Sequence, residues 1–373
     1  MSATRRLGVG VLGAHAWAEH AHLPGFAAYE RCRRVAICDV VPERARALAE
    51  RFGFERVYAD AREMLADPEV EMVDVCTPTG THRELAGAAL AAGRHVLCEK
   101  PLALSAADAF GLARLAAEKG LRTKVGFTFR YSAALKQVKR WIEDGTIGEI
   151  FHVHGFQQNS QFLDPNFPLR QYDTEDPDGP LVPASIVGYG SHLVDLLRWL
   201  AGDFRAVSAL MRNFVPERMV RGKEGLRRVP IDDGTVAAVD FRSGAQGVIQ
   251  TSFIAIGNYP GIEIRIYGSK VAVVARLVTE FGVAETLHLA RAGEVEFRPV
   301  ELSADRYPPG TDVRTPWREL YYRQLARDWT DEILDEGPAE NTFLDGAMSQ
   351  QMVDAVVLSH RERRWVDLSE MPS

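Results

Sequence analysis

Between residues 7 and about 125, short apolar and β-branched runs alternate with Ala-, Leu- and Arg-rich stretches of helical spacing, which leaves few folds open. The runs Leu7–Leu12, Arg34–Cys38, Met72–Cys76, His95–Cys98 and Arg122–Gly126 are short and largely apolar, as strands buried on both faces of a sheet are. Pro42–Phe52, Ala61–Leu65, Arg83–Ala92 and Ala106–Lys119 carry apolar residues at helical intervals, with Ser105 placed to cap the last. Parallel strands require long crossovers, usually helices, so the pattern predicts an α/β domain over residues 1–126 built on a parallel sheet.

After Phe127 the pattern changes. A helix over Ala133–Asp144 leads to a strand at Glu149–Gly155, then to a long polar loop over Gln157–Val187, a length that usually accompanies function. A helix at His192–Leu200 precedes strands at Thr235–Phe241, Gly247–Ser252, Glu263–Tyr267 and Lys270–Ala275, with turns at Arg242-Ser243-Gly244 and Gly268-Ser269. Helices over Tyr321–Glu336 and Leu344–His360 and a short strand near Trp365–Leu368 end the chain. Residues 127–373 therefore read as an α+β domain with a large, mostly antiparallel open sheet, and 373 residues suffice for two domains.

A net charge of −7 argues against a nucleic-acid partner. No run approaches the roughly 20 apolar residues that cross a bilayer. Arg5-Arg6 before Leu7–Leu12 superficially resembles a secretory signal, but the run is short, bears glycine and continues into a βαβ pattern, so it reads as the first strand. Cys32, Cys38, Cys76 and Cys98 lack metal-binding spacing and fall at strands, which predicts reduced thiols in a cytoplasmic protein and no metal.

The first strand ends in Gly13-Ala14-His15-Ala16-Trp17-Ala18, where a Rossmann domain carries G-x-G-x-x-G; only the first glycine is present. His15, at the second, must turn outward or meet phosphate itself. Asp39 closes the second strand where an acidic side chain accepts from the adenosine ribose hydroxyls and repels a 2′-phosphate, favouring NAD over NADP; it reads equally as a helix-entry residue before Pro42. Thr77 and Pro78 lead into a helix start at His82, which is either a ribose or nicotinamide contact or a cap. Glu99-Lys100-Pro101 then puts an amine at the sheet's edge. Gly13, His15, Trp17, Ala18, Asp39, Thr77, Pro78, His82, Glu99, Lys100 and Arg130 are the cofactor-binding candidates, and a pyridine-nucleotide oxidoreductase is the first expectation.

Thr77-Pro78 with His82, the segment from Ala88 through Glu99-Lys100-Pro101-Leu102, and Gly190-Ser191-His192-Leu193-Val194-Asp195 together resemble the glucose-fructose oxidoreductase / inositol dehydrogenase family, Gfo/Idh/MocA. Gly126 to Tyr131, Gly145-Thr146-Ile147-Gly148 and Gly337-Pro338 through Gly346 extend the resemblance over almost the whole chain. It implies hydride transfer between a nicotinamide cofactor and a carbinol of a sugar, cyclitol or related polyol, and a homodimer or homotetramer formed through the C-terminal sheet. It implies Lys100 as the contact to nicotinamide ribose and reacting oxygen, and His192 as the acid/base. Elementary chemistry agrees: hydride removal from a secondary alcohol requires a group to take the hydroxyl proton, and an imidazole does so near neutrality while an ammonium stabilises the alkoxide. The alternative for His192 is a helix-start residue paired with Asp195.

Two departures matter. Gly188 stands where the family often carries an aspartate, with Tyr189 beside it; and Trp17 to Pro24 resembles a branch containing a NAD-binding regulator. A catalytically silent NAD-binding sensor is thus a second reading, and a hydrolase using NAD as a built-in redox catalyst a third. Tyr131, Gln157, Asn159, Arg170, Tyr172, Tyr189, Lys100 and His192 are the candidate substrate contacts. Arg170 either favours an anionic substrate group or pairs with Asp173, Glu175 or Asp176.

Overall fold

The computed structural model describes residues 5–169, 176–258, 261–277 and 284–373. In chain order the elements are β1 (Leu7–Leu12), α1 (Leu23–Ala27), β2 (Cys32–Cys38), α2 (Pro42–Phe52), β3 (Arg56–Tyr58), α3 (Ala61–Ala66), β4 (Met72–Val75), α4 (His82–Ala91), β5 (His95–Cys98), α5 (Ala106–Glu118) and β6 (Thr123–Val125). Then come α6 (Ala133–Glu143), β7 (Ile150–Gln158), α7 (Ser185–Gly188), α8 (Gly190–Ala201), β8 (Phe204–Arg212), β9 (Glu217–Met219) and β10 (Leu226–Arg228). β11 (Gly234–Phe241), β12 (Gln246–Ser252), β13 (Gly261–Gly268), β14 (Val271–Leu277), β15 (Glu285–Arg291) and β16 (Arg298–Pro299) follow, and α9 (Trp317–Leu334), α10 (Phe343–Glu362) and β17 (Val366–Asp367) close the chain. No helix among the described residues is long and apolar enough to cross a membrane.

Two compact units result. The first comprises residues 1–131, 307–350 and 373, the second 132–306 and 351–372. The division expected at residue 126 differs from this, because residues 307–350 join the N-terminal unit and the division falls within α10.

In the first unit the described strands form a parallel six-stranded sheet of order β3-β2-β1-β4-β5-β6. That is the doubly wound order whose direction reverses between β1 and β4, opening a crevice at the strands' carboxyl ends. Val9, Val11, Val35, Ile37, Val73, Val75, Val96 and Leu97 are all fully buried, as a sheet covered on both faces demands. Ser105 caps α5 by accepting from Asp108 N at 3.2 Å, worth about 1 kcal/mol. α9 brings Tyr321, Tyr322, Leu325 and Trp329 to this unit, all nearly fully buried, and packs against α1.

The second unit is built on a nine-stranded sheet of order β16-β15-β14-β13-β7-β12-β11-β8-β17, counted over the described residues. It is mixed, not purely antiparallel: β12 runs parallel to β7, since the chain passes through α7, α8, β8 and β11 between them. One face alternates inward to bury Val153, Val207, Ala237, Val239, Ile249, Ile264 and Val273, and α8 lies across β7 and β12 on that side. The opposite face leaves Leu210 and Val236 about half exposed.

Candidate active site

The carboxyl edge of the parallel sheet gathers the ends of β1, β2, β4 and β5, and with them Gly13, Asp39, Thr77 and Glu99-Lys100. Gly13 has φ +101°, and a Cβ there would stand 2.1 Å from Cys76 O. Only glycine lets the chain turn this close to β4. Asp39 holds the turn from the next strand: its Oδ2 accepts from Ala14 N at 2.7 Å and its Oδ1 from Val41 N at 2.8 Å. The helix-entry duty at α2 is therefore real. The residue is half-buried at the strand end.

The side chain of His15 folds back, Nδ1 accepting from Trp17 N at 3.2 Å. The chain then enters α1 through a π-type turn over Ala18–His22. Ala18 is fully buried and has no side-chain surface to offer a cofactor. Trp17 Nε1 donates to Tyr322 OH at 3.0 Å, and its ring lies among Trp317, Tyr322 and the Arg318 guanidinium.

His82 corrects the expectation placed on it. It is 1% exposed, with Nδ1 2.8 Å from Pro101 O and Nε2 2.9 Å from Thr77 O, so the imidazole ties the turn after β4 to the turn after β5 instead of reaching ribose. Thr77 remains half-buried and Pro78 exposed at the edge, and Thr81 Oγ1 donates to Thr77 Oγ1 at 2.8 Å. Tyr131 is 5% exposed, with its hydroxyl pushed well above the ordinary phenol range by burial and by Asp328, Glu332 and Glu340. Arg130 is 7% exposed, and its guanidinium lies 3.4 Å from Asp345 Oδ1.

Glu99 is likewise internal. Its Oε1 accepts from Tyr322 OH at 2.9 Å and lies 2.9 Å from His22 Nε2, while Oε2 accepts from Lys100 N at 3.2 Å. Burial by itself would raise this carboxyl; the His22 hydrogen bond and charge, with Lys100 and Tyr322, bring it down to about 2. Lys100 is half-buried at the edge, before a cis peptide to Pro101. Its ammonium is held below the usual lysine range by burial, against the opposing pull of Glu99.

His22, Asp74 and Tyr322 escaped the sequence reading. His22 is 2% exposed, its Nδ1 2.8 Å from Asp74 Oδ2, and Asp74 is fully buried in the middle of β4. The signal was present: a carboxylate inside the run Met72-Val73-Asp74-Val75 is too costly to bury without a cationic partner.

The second unit carries the other candidates. His192 is 8% exposed in the first turn of α8, its N donating to Tyr189 O at 3.1 Å. Gly188 ends α7, and Tyr189 packs edge-on against Phe253 at 5.1 Å, with Phe162 beyond. Gln157 and Asn159 sit at the end of β7, 6% and 0% exposed, and Gln157 Oε1 and Asn159 Nδ2 have no hydrogen-bond partner among the described residues. Asn159 Oδ1 is used by Gln161 N at 3.0 Å. Beneath α7, Asp232 accepts from Ala184 N, Ser185 N, Ser185 Oγ and Thr235 Oγ1, fixing the lead into Tyr189 and His192. Arg170 and Tyr172 lie outside the described residues.

Comparison with known proteins places this arrangement. Residues 7–127 match the family model described as "Oxidoreductase family, NAD-binding Rossmann fold", and residues 135–274 match the Gfo/Idh/MocA C-terminal domain. Levoglucosan dehydrogenase of Pseudarthrobacter phenanthrenivorans is 29% identical over 355 residues, 91% of this chain and 90% of that protein. Myo-inositol 2-dehydrogenase of Thermotoga maritima is 29% identical over 336 residues, 90% and 91% of the two chains. Among solved structures, an oxidoreductase domain protein from Kribbella flavida superposes with a TM-score of 0.85 at 30% identity, covering 98% of this chain and 100% of that one. Levoglucosan dehydrogenase in complex with NADH and levoglucosan gives 0.86 at 28% identity, covering 98% and 100%. With both halves matched and a doubly wound sheet presenting Gly13, Asp39 and Lys100 at its carboxyl edge, the chain belongs to the Gfo/Idh/MocA family and is an NAD-binding oxidoreductase.

Proposed function

We propose that this oxidoreductase transfers hydride between NAD and a secondary alcohol or ketone of a sugar, sugar derivative or cyclitol, with Lys100 and His192 handling the reacting oxygen and its proton. The observation that carries the reading is the anchoring of Lys100, whose backbone is held to a buried carboxylate while the residue stays half-buried at the edge of a NAD-binding sheet. The named activities of relatives support the substrate class: levoglucosan, myo-inositol and D-apiose dehydrogenases all span about nine-tenths of the chain.

Held at Gly13 and Asp39, NAD would supply the acceptor for the hydride released as the carbinol C–H bond breaks. The chain's residues do the rest. His192 takes the hydroxyl proton as the C=O bond forms, and Lys100 donates a hydrogen bond to the oxygen while its charge builds; reduction runs the same steps in reverse. Asp39 accepts from the adenosine ribose hydroxyls and disfavours a 2′-phosphate, while the turn at Gly13 brings backbone close to the pyrophosphate. The close turn that Gly13 allows beside Cys76 and the half-buried Asp39 residue fit that cofactor. On the substrate side, Gln157 Oε1 and Asn159 Nδ2, without a partner among the described residues, supply an acceptor and a donor for hydroxyl groups, and Tyr189 with Phe253 supplies an apolar surface. Arg170 completes the candidate set.

The test is a 340 nm screen of levoglucosan, myo-inositol, D-apiose and their keto forms with NAD(H) and NADP(H). Lys100→Ala and His192→Ala are each expected to lower kcat by roughly 10²–10³-fold, with NADH binding retained in His192→Ala. Tight NADH binding without turnover of any polyol would replace this reading with the silent sensor. We further propose a cytoplasmic homodimer or homotetramer formed through the sheet face that exposes Leu210 and Val236. All four cysteines are free and buried, as suits a reducing compartment. Light scattering of the wild type and of Leu210→Glu/Val236→Glu tests the assembly; a monomeric wild type would refute it.

A further inference from the structure

Deep in the first unit lies a polar chain that the proposed chemistry does not use: Asp74 on β4, His22 at the end of the π-type turn, Glu99 after β5, Tyr322 on α9 and Trp17 after β1. Asp74, His22, Glu99 and Tyr322 are each at most 6% exposed. Burying two carboxylates and an imidazole is costly, and nothing in the packing of a doubly wound sheet requires them there. The chain even keeps space for the group, because a Cβ at Gly126 would stand 2.7 Å from Glu99 Oε1.

The geometry has one outlet. Glu99 is held on Oε1 by His22 Nε2 and Tyr322 OH, and its Oε2 takes the backbone N–H of Lys100. Tyr322 is itself held by Trp17 Nε1. The carboxylate cannot rotate without breaking two buried contacts, so the peptide that carries Lys100 inherits its fixed orientation. We propose that His22 is a positioning residue: clamped between Asp74 and Glu99, it fixes the carboxylate that holds the Lys100 backbone in its catalytic place. This rests on the role proposed above for Lys100.

The electrostatics agree with the clamp. The charged and titratable groups facing His22 are Asp74 and Cys76 from β4 and the turn after it, Glu99 from β5 and Tyr322 from α9; Lys100 lies next to Glu99, and His15 acts on Asp74. Burial opposes a charge on His22, but Asp74 and Cys76 outweigh it and hold the imidazole well above its ordinary value. A cation between two carboxylates, with the Lys100 ammonium beside them, balances the cluster.

Two measurements on the full-length protein test this. Hydrogen exchange at the Lys100 amide, which reports its bond to Glu99 without any substrate, is expected to accelerate by at least about 10-fold in His22→Phe and in Tyr322→Phe, and less in His22→Gln, which keeps a donor. Tyr322→Phe adds no buried charge imbalance and keeps the test open if His22→Phe fails to fold. In turnover of the polyol found by the screen, His22→Phe and Tyr322→Phe are expected to lower kcat by roughly 10–100-fold with KM and NADH affinity within about 3-fold, and His22→Gln to recover part. In the Lys100→Ala background the same substitutions are expected to cost nothing further, as for residues that act through one another. An unchanged Lys100 amide, an amide that loosens without loss of kcat, or losses that multiply with Lys100→Ala would each overturn the proposal. A fully active Lys100→Ala would instead overturn the catalytic role of Lys100, and exchange at its amide would then decide by itself whether His22 clamps that backbone.

Discussion

Gly13→Ala isolates the part of the cofactor site that the sequence retains. At φ +101° a non-glycine residue carries roughly 1–3 kcal/mol of backbone strain. The added Cβ would fall 2.1 Å from Cys76 O and 2.8 Å from Cys76 C, both backbone atoms of the neighbouring chain that no rotamer change can move. The turn after β1 must back away from β4 by about 1 Å, and overpacking against a rigid neighbour adds roughly 1–3 kcal/mol. A loss of about 4 kcal/mol is expected, which lowers the melting temperature of a unit this size by roughly 8–16 °C. A turn displaced by about 1 Å from a bound dinucleotide is expected to weaken NADH by about 100-fold. Calorimetry with and without NADH, beside a fluorescence titration, reads both effects. A Gly13→Ala protein that melts within about 2 °C of the wild type and binds NADH within about 3-fold would show that the turn is not confined between β4 and the cofactor. Lost stability with retained binding would refute only the contact to the cofactor.

Three further outcomes are expected. Asp39→Asn should shift the NADH-over-NADPH preference by about 10-fold toward NADPH in direct titrations; an unchanged preference would remove the carboxylate from ribose recognition. In the second unit Arg218 is fully buried, one guanidinium nitrogen on Asp233 Oδ1 and another on Phe162 O, while Asp233 Oδ2 accepts from Phe214 N at 2.7 Å and Val215 N at 2.8 Å. Arg218→Met should cost about 3–5 kcal/mol by leaving that carboxylate without its cation, and Arg218→Met/Asp233→Leu should cost less than the single change in chemical denaturation; equal costs would refute the pairing. The His22–Glu99 pair predicts a pH window. Glu99, lowered to about 2, contributes fully above its ordinary 4.5 and loses that contribution as pH falls toward 2; His22, raised, contributes fully below 6.5 and loses it as pH rises through its elevated value. The melting-temperature gaps between wild type and Glu99→Gln or His22→Gln should therefore be jointly widest between about pH 4.5 and 6.5, with Asp74, raised by burial, subtracting above its ordinary value. Gaps independent of pH would refute the assignment.

Much of the first unit was legible because its strands announce themselves by continuous burial: Leu7–Leu12 and His95–Cys98 lie where their apolar runs put them. The elements that escaped are those whose pattern is decided by distant partners. β3 is three residues long, and β8 combines Ala206, Ser208 and Ala209 with no β-branched residue but Val207. α9 read correctly as a helix, yet its membership did not: Tyr322 and Thr330 find partners some three hundred residues earlier, as when Tyr322 OH accepts from Trp17 Nε1 and Cys32 Sγ meets Thr330 Oγ1 at 3.0 Å. No local periodicity records that.

The site was legible by residue type and less so by role. Proximity to a motif led Glu99 and His82 to be assigned to the cofactor, whereas both spend their polar atoms on the protein itself. A buried polar atom satisfied by backbone or by another side chain has little left for a ligand, and that accounting needs coordinates. What the sequence did contain was Asp74, a charge in the midst of an apolar strand, and the requirement for a cation near it. Following that requirement leads to His22, from His22 to Glu99, and from Glu99 to the backbone of Lys100. The missing fingerprint glycines and the unusual segment from Trp17 to Pro24 then acquire one explanation. The segment after Gly13 dispenses with the second and third glycines of the usual fingerprint and instead runs through a π-type turn that delivers His22 to the sheet and Trp17 to Tyr322. The same turn that departs from the phosphate-binding pattern supplies the clamp proposed for Lys100, so restoring the glycine at position 15 alone is expected to leave the Lys100 amide protected, whereas replacing His22 is not.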